Sequence, residues 1–320
     1  MLAASIVILG VGGRGCAALQ HLQQHSLPDN IRRIAVSTDK RALNSVLCDN
    51  SILLSETLAK GRSSGGNAEL AAAAARETEP ALRQALRAAD VLIMLTGLGG
   101  GNGSGAATEL AKLAADMAIP MLVFATLPFN FEGKRRALLA QQSLLTLQQY
   151  GSAVVALPND QLQRALGASA PLEQALDASN QLLLVILQQL TAMLADTGLI
   201  NMDFSDFLSV IQQPGLALAG AIETEQEDDL PAALQQLLVN PLLQPQQLSQ
   251  AKAALLHIVA GENFSLQQFE ALGQQLAAEL PNVSLLLQGL TLLPAKDTKL
   301  QLLLLASGIS TDCTAKPLCV

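Results

Sequence analysis

The residues best placed to do chemistry lie in Thr96-Gly-Leu-Gly-Gly-Gly-Asn-Gly-Ser-Gly105, where six of ten positions are glycine. Glycine loses more conformational entropy on folding than other residues and adds nothing to packing, so such a cluster needs a physical reason. Close approach of backbone to an anion is one. Free N–H groups converge on a phosphate, and the positive end of a following helix adds to the field. Gly99, Gly100, Gly101 and Gly103 would form the cradle, with Asn102 and Ser104 adding side-chain donors. No Gly-Lys-Ser/Thr follows, so this is not a Walker loop. Alanine at Gly101 or Gly103 is expected to crowd the phosphate and leave the fold intact.

Two further loops have the same character. Gly10-Val-Gly-Gly-Arg-Gly15 offers Gly12, Gly13, Arg14 and Gly15, and Lys60-Gly-Arg-Ser-Ser-Gly-Gly-Asn67 offers Gly65, Gly66 and Asn67. Taken alone, the first is a Gly-x-Gly-x-x-Gly opening, and Asp39 lies about where a dinucleotide site keeps its ribose-binding acid. That reading leaves the second, richer loop unexplained. One phosphate tail held from two strand ends explains both. In Pro128-Phe-Asn-Phe-Glu-Gly-Lys-Arg-Arg136, Glu132 could accept from a sugar hydroxyl and Arg136 or its basic neighbours neutralise phosphate. Asp203 and Asp206 share a face at a helix start, where taken alone they read first as caps.

The elements that must position these residues follow from the apolar runs. Strands are expected at 5–9, 33–39, 51–54, 91–95, 121–125 and 153–157, with helices between them. The alanine-rich stretch from Ala68 to about Ala88 is expected to be one long helix. Loops that each follow a strand and precede a helix gather on the carboxyl edge of a parallel sheet. The expected architecture is α/β, a doubly wound, mostly parallel sheet over 1–171, a long connecting helix and loop over 172–200, and a smaller α+β domain over 201–320. In the last, strands at 215–220, 254–259, 283–287 and 300–305 alternate with helices at 230–238 and 266–280. The acidic run from Glu223 to Asp229 is expected to be a solvated loop and helix start.

Composition narrows the function classes. Half of the 320 residues are hydrophobic, only 14% are charged and 2% aromatic, so the core is aliphatic. A net charge of −8 without a basic cluster argues against nucleic acid as a partner. The apolar runs are too short to cross a bilayer, which argues against direct membrane insertion. The N-terminus lacks a basic leader, and Cys16, Cys48, Cys313 and Cys319 form no Cys-x-x-Cys pair; a cytoplasmic location is expected. His21, His25 and His257 have no metal-ligand spacing, and no metal site is expected among the side chains.

Gly99-Gly-Gly-Asn-Gly-Ser-Gly105 resembles the Gly-Gly-Gly-Thr-Gly-Ser/Thr/Ala-Gly motif of the tubulin and FtsZ superfamily, with Asn102 at the threonine. Pro128-Phe-Asn-Phe-Glu-Gly and Pro158-Asn-Asp160 resemble two further FtsZ patterns, and Asn201-Met-Asp-Phe-Ser-Asp206 resembles that family's synergy loop. The likeness runs in unbroken order from Ile6 to Ile309. It implies that Glu132, Arg136 and Asn159 hold ribose and phosphates, that GTP/GDP and Mg²⁺ are the cofactors, and that subunits assemble head to tail into a homopolymer. It also implies that Asn201, Asp203 and Asp206 reach the nucleotide of the neighbouring subunit, the two acids orienting or deprotonating the attacking water. FtsZ itself is a further possible partner.

The chain departs from the family at several points. Arg14, Cys16 and Ala17 stand where the family has two glycines and an asparagine. Leu176 takes the place of the aromatic that stacks on guanine. Gln181, next to Asn180, takes that of the guanine-reading aspartate, with Asp177 one turn away. A glutamine amide offers guanine one acceptor and a misplaced donor. The chain ends soon after the last strand, without the family's linker and terminal peptide. Three readings follow: a filament-forming GTPase, a non-hydrolysing nucleotide-binding scaffold that co-assembles with FtsZ, and a Rossmann oxidoreductase.

Overall fold

A computed structural model describes residues 4–22, 27–161, 172–195, 198–224, 230–240, 243, 245–293 and 299–310; for 172–179, 195 and 245 only the backbone is described. The chain divides into two compact units, Met1–Asn180 and Gln181–Thr311. The division falls inside one helix, Leu172–Ala195, which the sequence reading had set apart with the following loop. Cys313, Cys319, His25 and the acidic residues 225–229 lie outside the described residues, as do the side chains of Leu176 and Asp177.

The first unit is built on six parallel strands: β1 (Ile6–Val11), β2 (Ile31–Ser37), β3 (Asn50–Leu53), β4 (Val91–Gly97), β5 (Met121–Leu127) and β6 (Ala153–Pro158). Their order is β3-β2-β1-β4-β5-β6. β1 and β4 are buried along nearly their whole length, as continuous apolar runs in a two-faced parallel sheet should be. The register sets Val11 beside both Val36 and Thr96, so β1, β2 and β4 end level with one another. Strand order reverses at β1. The two glycine loops therefore leave the sheet side by side at its topological switch point, where ligands of doubly wound sheets bind.

Helices α1 (Gly12–Leu22), α2 (Lys40–Asn44), α3 (Ala68–Glu77), α4 (Glu79–Leu86), α5 (Ala107–Asp116) and α6 (Lys134–Tyr150) link these strands. The helix expected over 68–88 is two. Thr78 leaves helical geometry at φ −93° and ψ 3°, and Pro80 opens the first turn of α4.

The second unit carries β7 (Leu216–Thr224), β8 (Ala253–Gly261), β9 (Leu285–Leu293) and β10 (Leu300–Ile309) in the order β7-β10-β8-β9. β10 is antiparallel to β7 and β8, and β8 is parallel to β9, which is the mixed sheet expected. Apolar residues of α9 (Leu230–Leu238), namely Leu234 and Leu237, are fully buried. α7 (Leu172–Ala195), α8 (Phe204–Ile211), α10 (Pro245–Leu248) and α11 (Leu266–Glu279) complete the described helices.

Candidate functional site

The loop after β4 leads into a single π-helical turn, Asn102–Ala106, before α5. Such turns are rare and concentrate at functional sites. Its side chains hold it in shape. Ser104 Oγ accepts the Gly99 N–H at 2.9 Å, and Thr96 Oγ1 donates to the Gly103 carbonyl at 3.0 Å. Asn102 Oδ1 accepts the Thr38 N–H at 3.3 Å while its Nδ2 donates to Thr38 Oγ1 at 2.9 Å. The Asn102 side chain thus fastens this loop to the end of β2 and keeps one of its two Nδ2 hydrogens without a described partner. Thr38 carried no motif, and Thr96 was read only as the start of the glycine stretch.

The glycines divide by what surrounds them. A Cβ on Gly103 would sit 1.9 Å from the Gly97 carbonyl oxygen, and one on Gly101 would sit 2.1 Å from Ser64 Oγ. These glycines let loops pack on one another, so alanine there strikes protein; the expectation that the fold would be spared is corrected. A Cβ on Gly15 would likewise sit 2.3 Å from the Leu95 carbonyl oxygen, and one on Gly12, at φ +70°, would sit 2.9 Å from the Asn102 Cβ. Gly13, Gly65, Gly66 and Gly100 face open space. Gly99 takes φ +90°, a conformation that suits glycine. Asn67 caps α3, its Oδ1 accepting the Leu70 N–H at 3.1 Å.

A cavity of about 120 Å³ opens beside this loop, lined in part by Arg14, Gly100, Glu132, Arg136 and Asn159, all expected from sequence. Thr126, at the end of β5 beside Gly97, joins them unpredicted. The volume suits part of a ligand, such as a phosphate group, since whole small-molecule pockets run to about 300–1,000 Å³. Asn159 is only 3% exposed, and its Oδ1 has no hydrogen-bond partner. An orphaned buried acceptor is costly and marks a place for a ligand donor.

Both Glu132 oxygens are engaged. One oxygen accepts the Phe129 N–H at 2.9 Å and the other pairs with Arg136. The Arg136 side chain is 57% exposed, so the pair contributes only about 0.2–1 kcal/mol and is readily exchanged for a ligand. Asp160 accepts the Asn130 N–H at 3.1 Å, tying the turn that carries Asn159 to the same loop. Asp39 caps α2 through the Arg41 N–H at 2.9 Å. Burial first, with the nearby Cys48 and Asp39, pushes the Cys16 thiol up to about 12, which makes it unreactive.

Asn180 in the first unit contacts His21 Nε2 through its Nδ2 at 3.3 Å, and Gln181 is exposed. In the second unit, Asn201 is exposed in a loop pinned to β9 by Ile200, whose N–H donates to the Leu290 carbonyl at 3.1 Å and whose carbonyl accepts the Leu290 N–H at 3.0 Å. Asp203 and Asp206 then open α8 as a reciprocal capping box. The Ser205 hydroxyl first, then the Asp206 N–H, hold the Asp203 carboxyl below the usual range. A carboxylate so stabilised is a poor base and suits orienting water better than deprotonating it.

Among the described residues no cluster of three or more His, Cys, Asp or Glu side chains could hold a metal ion. Mg²⁺ bound through phosphates still needs one or two carboxylates. In the cavity of the first unit Glu132 is the one carboxylate that could supply this, by giving up its exposed pair with Arg136.

A parallel sheet with two glycine loops at its switch point defines the class, a doubly wound α/β protein of mononucleotide-binding architecture. Residues 5–167 match the family model for the Tubulin/FtsZ family, GTPase domain, and residues 215–310 match the FtsZ family, C-terminal domain. The chain belongs to the tubulin/FtsZ family. The cell division protein FtsZ of Wigglesworthia glossinidia brevipalpis is 31% identical over 97% of this chain and 80% of its own length. FtsZ 1 of Thermococcus kodakarensis is 32% identical over 96% and 82%. Among solved structures, an empty FtsZ dimer of M. jannaschii matches with TM-score 0.87 at 27% identity, covering 98% of this chain and 90% of that one. CetZ2 of Haloferax volcanii, a GTPγS-bound protofilament, matches with TM-score 0.81 at 26% identity over 96% and 94%. These matches rule against the oxidoreductase reading. No described helix is long and apolar enough to cross a membrane.

Proposed function

We propose that this chain is a cytoplasmic GTPase that binds GTP and GDP in the first unit and assembles head to tail, hydrolysing nucleotide at a site completed by the neighbouring subunit. The glycine loop and the π-helical turn after it would hold phosphates by backbone N–H groups. Asn159 Oδ1 would take a ligand donor, and Glu132 would exchange Arg136 for a sugar hydroxyl.

One observation carries the shared-site reading: the cavity of the first unit is lined by no acid with an unengaged oxygen, while the loop and helix start of the second unit offer two such acids. Asp203 Oδ2 and Asp206 Oδ1 make no described hydrogen bond, whereas both Glu132 oxygens are engaged. The loop before those acids exposes Leu199 at 69% and Ile200 at 36%, apolar surface that a subunit contact would bury. Acids from one copy acting on the nucleotide of the next make a heterologous contact, which propagates as an open filament. The two aspartates would orient the attacking water while the cradle stabilises charge.

Arg14 and Gln181 favour a second reading, a non-hydrolysing scaffold that co-assembles with FtsZ, because both stand where the resemblance expects other nucleotide-contacting residues. One experiment separates the two. Phosphate release from GTP is measured against protein concentration, with sedimentation of the wild type and of Asp206→Ala. The GTPase reading requires turnover per subunit to rise with concentration, and Asp206→Ala filaments to persist with little hydrolysis. Flat or absent turnover with intact sedimentation leaves the scaffold.

A further inference from the structure

At the amino edge of the first unit's sheet, away from the glycine loops, Arg32 has no counter-charge. It sits in register with Val7, near the start of β1, whereas those loops leave the sheet past Val11 and Val36. Its guanidinium makes no described hydrogen bond or ion pair, and Nη2 is shut off from solvent without an acceptor. Withdrawing part of a cation from water without a partner is costly.

Arg32 lines a second cavity, of about 580 Å³, whose other walls come from β3 and α4. All four residues of β3, Asn50–Leu53, line it, so the strand is presented edge-on, with both of its faces. β3 ends the strand order, and its outer edge pairs with no described strand. Thr78, Ala81 and Ala85, three and four residues apart, form one stripe on the opposite wall, with Gln84 beside them. β3 begins opposite Ile34, so Arg32 lies beyond the amino end of the strand. No other lining residue is charged. The acids adjacent to the lining residues in sequence are engaged elsewhere. Asp49 accepts the Arg33 N–H at 2.6 Å, Glu79 pairs with Arg83 at 2.8 Å, and Glu77 accepts the Ser55 and Thr57 hydroxyls, each at 2.7 Å.

We propose that this groove binds the extended end of a peptide as a strand added to β3, with its terminal carboxylate on Arg32. The free strand edge supplies backbone donors and acceptors, the alanines of α4 leave room for side chains, and the guanidinium fork matches a carboxylate. A peptide whose carboxyl end lies at Arg32 runs antiparallel to β3. The volume falls within the range of about 300–1,000 Å³ of whole ligand sites. The groove is separate from the nucleotide cradle, so the inference does not rest on the nucleotide reading.

The test is NMR of the full chain titrated with N-acetyl-Thr-Val-Thr-Val as the free acid, with the same peptide as the carboxamide, and with acetate. Arg32→Met keeps an apolar stem and removes the charge, Arg32→Lys keeps a charge without the fork, and Ala81→Trp fills the groove from an exposed position. Thermal melts establish that each variant is folded. The free acid is expected to shift the amide resonances of Asn50–Leu53 and the Arg32 Nε–H. The carboxamide on wild type, and the free acid on Arg32→Met, should each bind about tenfold or more weakly, the size of one charge-assisted contact. Arg32→Lys should fall between, and Ala81→Trp should abolish the shifts at an unchanged melting temperature. No shift at β3 with the free acid, or equal affinity in wild type and Arg32→Met, overturns the proposal. Acetate binding as tightly as the peptide overturns the strand pairing and the peptide with it.

Discussion

Asp203 and Asp206 hold each other: Asp203 Oδ1 accepts the Asp206 N–H at 2.8 Å, and Asp206 Oδ2 accepts the Asp203 N–H at 3.1 Å. The capping box spends one oxygen of each acid and leaves the other without a described partner. Capping and catalysis, which the sequence posed as alternatives, are therefore compatible. The cap fixes the carboxylates, and the free oxygens can face a water.

This separates the two roles experimentally. Asp206→Asn retains an oxygen for the Asp203 N–H but loses the charge. Turnover of GTP should fall by about 10²–10⁴ while the thermal midpoint and GTP affinity stay near wild type. Phosphate release, melting curves and calorimetry on the same preparations check it; unchanged turnover would remove Asp206 from the reaction.

Glycines of the phosphate loop should respond by environment, not by position in the motif. Gly100 faces open space at the cavity, so Gly100→Ala should keep the wild-type melting temperature and weaken GTP binding. Gly103→Ala forces a Cβ onto the Gly97 carbonyl and should destabilise the fold by about 1–3 kcal/mol or more. Paired melts and titrations decide; a stable Gly103→Ala contradicts the packing of this loop.

The base pocket gives a third expectation. Gln181→Asp should restore a bidentate acceptor and raise preference for GTP over ATP by about tenfold. Competition binding that leaves the preference unchanged means that Gln181 does not read the base.

His257 predicts how stability depends on pH. It is buried, with Nε2 at 3.1 Å from Thr291 Oγ1 and Nδ1 without a partner, and burial lowers its pKa from 6.5 to about 4. Above the ordinary value both folded and unfolded chains carry neutral imidazole, and stability is full. As pH falls from 6.5 towards 4, the unfolded chain takes up a proton that the folded chain refuses, so about 3 kcal/mol is lost across that window. Urea midpoints of wild type and His257→Leu across the window measure the effect. The variant should lose this part of the slope, and parallel curves would assign the pH dependence to other groups.

Local pattern alone determined much of this protein. Strands such as Val91–Gly97 are continuous apolar runs that a parallel sheet must bury, and Leu230–Leu238 is a helix over the residues its apolar pattern marked. The glycine loops were legible as loops because clustered glycine has no other use between a buried strand and a helix. What the loops do to one another was not legible. Asn102 was legible as a donor, but not as the residue that ties its loop to Thr38, 64 residues away. That Gly101 and Gly103 must be glycine because Ser64 and Gly97 crowd the place of a Cβ was not legible either. Glu132 and Arg136 were each read as ligand contacts, yet they first pair with each other. The physical reason is common to the first two. Periodicity and turn chemistry act over a few residues, whereas contacts between loops of different βα units depend on strand order, β3-β2-β1-β4-β5-β6, and on the register that ends β1, β2 and β4 level. Only the assembled sheet decides which loops meet, and so which side chains are spent on structure.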